Sequence, residues 1–158
     1  GMGVHLTDLM IWLFGPVDKV FASTAKRALK FKTGDVVTAS LQHSSGLNTQ
    51  ITAILKTPHY QRVTIWGENG WVELVDSSHP DTPGPSFMKI VMNDGTVKEE
   101  NFEWTDTVSA NIHNFIDSIQ GQSKYLFTDV EKFQNISVLE AIYKSSLSKQ
   151  NEKVESFN

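Results

Sequence analysis

Two residues near the start of the chain have the types and the spacing for acid–base chemistry. His5 and Asp8 stand three apart in Gly3-Val4-His5-Leu6-Thr7-Asp8-Leu9, at the head of an amphipathic stretch. On a helix this spacing puts the two side chains on neighbouring faces of one turn. An imidazole placed there can give or take a proton at a substrate hydroxyl, or hydrogen-bond it, because histidine is the side chain that ordinarily titrates near neutral pH. A plainer reading fits the spacing better on its own: Asp8 favours the N-terminus of the helix and His5 is a surface residue.

The remaining composition narrows the chemistry. The other four histidines, His43, His59, His79 and His113, fall in separate elements with no metal-ligand spacing, so no metal is expected. There is no cysteine for a disulfide or a thiolate site. No Gly-x-Gly-x-x-Gly follows a strand, and no P-loop, His-Glu-x-x-His or Gly-x-Ser-x-Gly occurs. A dinucleotide site is therefore not expected in this chain. Fourteen basic residues against eighteen acidic ones, with no basic cluster, argue against nucleic acid as a partner. No apolar run approaches the ~20 residues that span a bilayer, and no basic segment followed by an apolar one marks a signal peptide. A cytoplasmic protein is the expectation. Gly1 before Met2 reads as a residue left by tag removal.

The elements that must position these residues follow from periodicity. Leu6, Leu9, Met10 and Leu13 have helical spacing, and Gly15-Pro16 ends the helix. A strand is expected at about 17–26. Residues 35–42 and 47–55 form period-2 runs around Ser44-Ser45-Gly46, a hairpin. Its second strand puts Leu47, Thr49, Ile51, Ala53 and Leu55 on one face and the polar, uncharged Asn48, Gln50 and Thr52 on the other. Two further hairpins are expected: 62–66 with 71–75 around an Asn69-Gly70 turn signal, and 87–92 with 96–102 around Asn93-Asp94-Gly95. Residues 77–86 hold three prolines and form a loop. Val108, Ile112, Phe115, Ile116 and Ile119 then make a helical stripe, and Thr128-Asp129-Val130-Glu131 is a capping box opening a helix to about Ser148.

A helix, a run of antiparallel strands and two closing helices imply one α+β domain over residues 1–158, with helices on one face of a large, mostly antiparallel open sheet. The other face of the sheet needs cover. With Trp66, Trp71 and the uncharged hairpin face available, a second copy is the expected cover, giving a homodimer or higher oligomer. His43, Asn48 and Gln50 could touch a polyol, and His59, Tyr60 and Arg62, which follow Pro58 into a strand, could line a substrate cleft. For each, an ordinary sheet or strand-end residue is the competing reading. Trp66 and Trp71 fit packing better than a sugar-stacking platform.

Several segments, in order, resemble one family. Gly3-Val4-His5-Leu6-Thr7-Asp8-Leu9 with Trp12-Leu13 and Gly15 is similar to the start of the C-terminal domain of the GFO/IDH/MocA oxidoreductases, the family of glucose-fructose oxidoreductase and inositol 2-dehydrogenase. Residues 63–74, Val-Thr-Ile-Trp-Gly-Glu-Asn-Gly-Trp-Val-Glu-Leu, resemble its strand, Gly-x-x-Gly, strand segment, and 114–119 and 138–145 resemble its two closing helices. The resemblance implies the fold of a glyceraldehyde-3-phosphate dehydrogenase-like C-terminal domain, which binds substrate and builds the oligomer through its open sheet face. It also implies that an N-terminal Rossmann domain holds NAD(P) and supplies a lysine. The histidine of the family's Asp-x-x-x-His motif falls on His5, for proton transfer at the substrate hydroxyl. The aspartate position falls on Gly1. Without the cofactor half, the chain alone is expected to lack hydride transfer. The alternatives are a separate Rossmann-domain chain that completes the enzyme, or a stand-alone binding and assembly module that kept the fold and lost the chemistry.

Overall fold

The computed structural model of the chain describes residues 3–30, 34–79 and 81–156. Its elements run α1 (Gly3–Phe14), β1 (Val17–Ala25), β2 (Val36–His43), β3 (Asn48–Ile54), β4 (Gln61–Gly67), β5 (Gly70–Asp76), β6 (Ser86–Met92), β7 (Val97–Phe102), α2 (Thr107–Ile119), α3 (Asp129–Ser148) and β8 (Glu152–Lys153). The α+β class and the antiparallel open-sheet architecture expected from periodicity are present. The strands are distributed over two four-stranded sheets, in the orders β3-β2-β1-β8 and β4-β5-β6-β7. They belong to two compact units, one made of the chain up to Lys56 and from Phe127 onward, the other of Thr57–Leu126.

In the first unit, alternation along β1 and β2 turns Val20, Ala22, Ala39 and Leu41 to one face, and the register pairs Val20 with Leu41 and Ala22 with Ala39. Ile51 of β3 joins them opposite Ala39. α3 covers this face with Val138, Ala141 and Ser145, at i, i+3 and i+7, and α1 adds Met10 and Ile11. Each fully buried Leu or Val contributes about 1.5–3 kcal/mol relative to exposure. The opposite face carries Phe21, Ser23, Thr38, Gln42, Asn48, Gln50 and Thr52, and all of these are exposed.

Local chemistry sets the element ends. Gly15 adopts φ 81°, its N–H bonds Ile11 O at 2.8 Å, and α1 stops there. The expected capping box is formed: Glu131 N donates to Thr128 Oγ1 at 3.2 Å, and Thr128 N donates to the Glu131 carboxylate at 2.8 Å. The Thr128 hydroxyl donates to the same carboxylate at 2.7 Å, and this bond first, with the Thr128 N–H second, holds the Glu131 carboxyl below its ordinary range. β1 reaches past the two-residue β8, and beyond it the Ala22 N–H donates to the buried Ser145 Oγ at 2.8 Å.

In the second unit the four strands form the two expected hairpins, with one shift in turn chemistry. Gly67 and Gly70 pair across the ladder, so the turn centres on Glu68-Asn69 rather than Asn69-Gly70. Gly70 begins β5 at φ 156°, where a Cβ would lie 2.2 Å from Val91 O. One face of this sheet sets Val63 and Ile65 beside Leu74, Val72, Met88 and Ile90. The other carries alternating charges, Arg62, Glu73, Lys89 and Glu99, one per strand. Val108, Ile112, Phe115, Ile116 and Ile119 do form the expected stripe of α2, yet each is more than 40% exposed and α2 has no buried residue.

Candidate functional site

His5 lies on an exposed face of α1, in the third described position of the helix. The described helix begins at Gly3, which puts Asp8 in the second turn. The expectation that Asp8 caps or charges the first turn is therefore corrected: that turn contains no acid. Gly1, on which the family's aspartate position falls, lies outside the described residues.

The buried side of the same turn is polar. Thr7 is 1% exposed and Asn135 of α3 is 8% exposed. Thr7 Oγ1 lies 2.5 Å from Asn135 Oδ1, and Asn135 Nδ2 donates to Val4 O at 3.3 Å. The neighbouring Gln134 donates from Nε2 to Val17 O at 3.0 Å. Two consecutive residues of α3 thus anchor the start of α1 and the start of β1. Neither Thr7 nor Asn135 stood out in the sequence. The available signal was a Gln-Asn pair inside the core-facing stripe of a helix, where burial demands hydrogen-bond partners.

His43 is 1% exposed and packs edge-on to Phe14 with ring centroids 5.7 Å apart. Its Nδ1 is 2.8 Å from Gly15 O and its Nε2 3.0 Å from Thr49 Oγ1. Nδ1–H therefore donates to the carbonyl and Nε2 accepts from the hydroxyl. The suggestion that His43 meets a polyol is corrected: both nitrogens are used inside the core, tying the end of α1 to β2 and β3. Asn48 and Gln50 do lie on the exposed sheet face.

His59, Tyr60 and Arg62 fall in the second unit, apart in chain organisation from His5. All three are exposed. His59 stands edge-on to His79 at 6.0 Å, and His79 Nδ1 is 2.5 Å from Asp81 Oδ1. The His79 contact lowers the Asp81 carboxyl below its usual range, with Thr82 adding to it. Arg62 reaches Glu73 at 3.5 Å. Lys89 and Glu99 form the next pair at 2.8 Å, which raises the Lys89 ammonium and lowers the Glu99 carboxyl. A shallow groove of about 280 Å³ lies along this charged face, between Glu73, Lys89, Glu99, Phe87 and Asn101. Trp66 is 75% exposed and pairs across the strands with the half-buried Trp71. Among the described residues, no group of three or more His, Asp or Glu side chains could hold a metal.

Among the described residues every strand pairing is antiparallel, so no parallel strand–turn–helix unit presents backbone N–H groups to a pyrophosphate. No described helix is long and apolar enough to cross a membrane.

The first unit is thus a four-stranded sheet backed by two helices, with a histidine exposed on the first described turn of the leading helix. The match to the family "Oxidoreductase family, C-terminal alpha/beta domain" of the GFO/IDH/MocA group spans residues 1–155, and the chain belongs to it. No curated protein matches the chain in sequence. Among solved structures it is similar to aldose-aldose oxidoreductase from Caulobacter crescentus, complexed with glycerol, at 17% identity and TM-score 0.79, over 96% of this chain and 46% of that one. It is also similar to the WlbA dehydrogenase from Bordetella pertussis, in complex with NADH and UDP-GlcNAcA, at 22% identity and TM-score 0.72, over 99% of this chain and 44% of that one. A third is an oxidoreductase from Agrobacterium radiobacter in complex with NAD+, L-tartaric acid and magnesium, at 16% identity and TM-score 0.75, over 97% and 48%. These likenesses establish the fold. The chain spans about half the length of each of them.

Proposed function

We propose that this chain is the substrate-binding and oligomerisation domain of an NAD(P)-dependent oxidoreductase acting on a sugar, polyol or similar small polar molecule. The observation that carries the reading is the exposed His5 on the leading helix of a chain that belongs to this family over nearly its whole length. In this reading His5 exchanges a proton with the substrate hydroxyl that becomes, or comes from, the carbonyl. The nicotinamide, held by a domain or chain with a dinucleotide fold, supplies the hydride chemistry when bound. His59, Tyr60 and Arg62 are the second candidate set for substrate contact. The outer face of β1–β3 is the surface proposed to meet a second copy: its Ser, Thr, Asn and Gln side chains, set around Phe21 with Lys19 at one end, cost little to desolvate when they gain hydrogen bonds across an interface.

Equilibrium dialysis and light scattering test this together. The chain alone should retain neither NAD nor NADP and should scatter as at least twice 17.7 kDa. Micromolar binding of either dinucleotide, or a clean monomer at all concentrations, would overturn the respective half of the proposal. When the cofactor-bearing half is supplied, His5→Ala should lower kcat by ~10²–10⁴, the usual contribution of a positioned acid–base group. An unchanged kcat removes His5 from the chemistry.

A further inference from the structure

The first turn of a helix is its weakest part, because its leading N–H groups have no intrahelical partner. In α1 that turn carries His5, and it is gripped from the buried side by one amide. Thr7 Oγ1 has three oxygens in reach: Asn135 Oδ1 at 2.5 Å, Val4 O at 3.0 Å and Gly3 O at 3.3 Å. A hydroxyl has one proton to donate, and amide Oδ1 only accepts. The nearest acceptor takes the proton, and Asn135 Nδ2 returns a bond to Val4 O at 3.3 Å. One side chain of α3 therefore holds residues 4 and 7 of the turn at once. His5, two positions before Thr7 and about 200° round the helix from it, is presented on the opposite, exposed side.

The remaining attachments of α1 include the apolar contacts of Met10 and Ile11, both about one turn beyond Thr7, and the bond of His43 to Gly15 O past the far end of the helix. Apolar burial has no direction and tolerates rotation of a helix about its axis, whereas a two-point hydrogen bond fixes an angle. We propose that Asn135, acting through Thr7, is the positioning residue for His5: the amide clamp sets the rotation of the first turn and hence the direction in which the imidazole is offered. Its purpose rests on the reading of His5 as the substrate-hydroxyl partner, although the clamp itself needs no ligand to be seen.

The experiment follows the His5 ring by NMR in the chain labelled at histidine, with His113 of α2 in the other unit as an internal control. Thr7→Val removes the hydroxyl at nearly constant shape, Asn135→Leu removes both amide bonds, and Thr7→Ser restores the hydroxyl. Thr7→Val and Asn135→Leu should shift and broaden the His5 Cε1–H signal, and should speed amide exchange of Thr7 and Asp8 by roughly tenfold or more. His113 should not move, and Thr7→Ser should behave as the parent. A folded Thr7→Val or Asn135→Leu with an unchanged His5 signal overturns the clamp. Should Asn135→Leu not fold, Asn135→Asp keeps the acceptor for Thr7 and loses the donor to Val4, and an unmoved His5 signal in it counts equally against the proposal. A glycerol titration is read separately. If glycerol never perturbs His5 in the parent, the substrate reading is weakened and the clamp stands; if the ring ignores the clamp variants, the clamp falls whatever glycerol does.

Discussion

The two sheets are matched in strand number and in antiparallel pairing, and they differ in what lies on them. β1, β2 and β3 place Val20, Ala22, Ala39, Leu41 and Ile51 under α3 and α1, and every fully or nearly fully buried side chain among the described residues belongs to this unit. β4 to β7 set an equally apolar row, Val63, Ile65, Val72, Leu74, Met88 and Ile90, on one face, yet these residues are only half-buried. The first unit is specified from inside, by directional bonds such as Asn135 to Val4 and His43 to Gly15 set among close-packed aliphatics. The second is held mainly along the ladder, by cross-strand pairs, and it has apolar surface left to bury. Strand alternation thus decides which residues share a face; whether that face becomes a core depends on a covering element.

The sharpest way to break this contrast is one truncation in each sheet. Leu41→Ala removes a fully buried side chain and should cost about 2–5 kcal/mol in urea unfolding. Leu74→Ala acts at a half-buried site and should cost about 1 kcal/mol in the dissociated chain. If the second apolar face is covered by another copy, the cost of Leu74→Ala will grow with protein concentration. Equal costs that do not depend on concentration would erase the distinction between the two units.

A second test concerns the buried acid of the first unit. Asp35 is 3% exposed, and its carboxylate accepts N–H groups from Arg27, Ala28 and Leu29 at 2.7, 2.5 and 2.6 Å. The bond from Arg27 leads in holding its carboxyl below the ordinary value, with Ala28 next. A folded-state pKa below the unfolded one stabilises at pH above the unfolded value, about 3.9, and that contribution fades as pH falls through the folded value. Asp35→Asn should therefore destabilise the chain clearly near neutrality, by less than Leu41→Ala, and the gap should close in urea titrations carried below about pH 4. A gap that stays constant down to strong acid would show that the three N–H bonds do not depend on the charge.

Much of this architecture was legible in the sequence because it is local. The three hairpins announce themselves through period-2 runs and Gly-containing turns, and α3 through Thr128 and Glu131, three residues apart. His5 was legible as a candidate from its residue type and from the family resemblance. What holds its helix was not: Thr7 and Asn135 lie 128 positions apart, and nothing local to either says that they meet. His43 failed for the same reason, since its partners Gly15 and Thr49 come from two other elements. The division of the strands into two sheets was also hidden. The break falls in the exposed Thr57-Pro58-His59-Tyr60 stretch between β3 and β4, which reads in sequence like any other connection.

The smallest effect expected is on the charged face of the second sheet, where sign alternates from strand to strand through Arg62, Glu73, Lys89 and Glu99. These side chains are largely solvated, so each pair contributes little, and the pattern matters more than any one contact. Lys89→Glu would set three acids in adjacent strands, turning attractions into like-charge repulsion at cross-strand distance. The loss should be smaller than for Asp35→Asn and should shrink with added salt, because the Debye length falls from about 10 Å at 0.1 M to about 3 Å at 1 M. Lys89 is raised and Glu99 lowered, so their mutual attraction persists from acid pH, above the lowered Glu99 value, to alkaline pH, below the raised Lys89 value. The difference between parent and Lys89→Glu should accordingly be flat across the neutral range. A large, salt-insensitive loss would mean that Lys89 is shielded from solvent in the working protein, and that this face, rather than the apolar one, is where the second unit finds its cover.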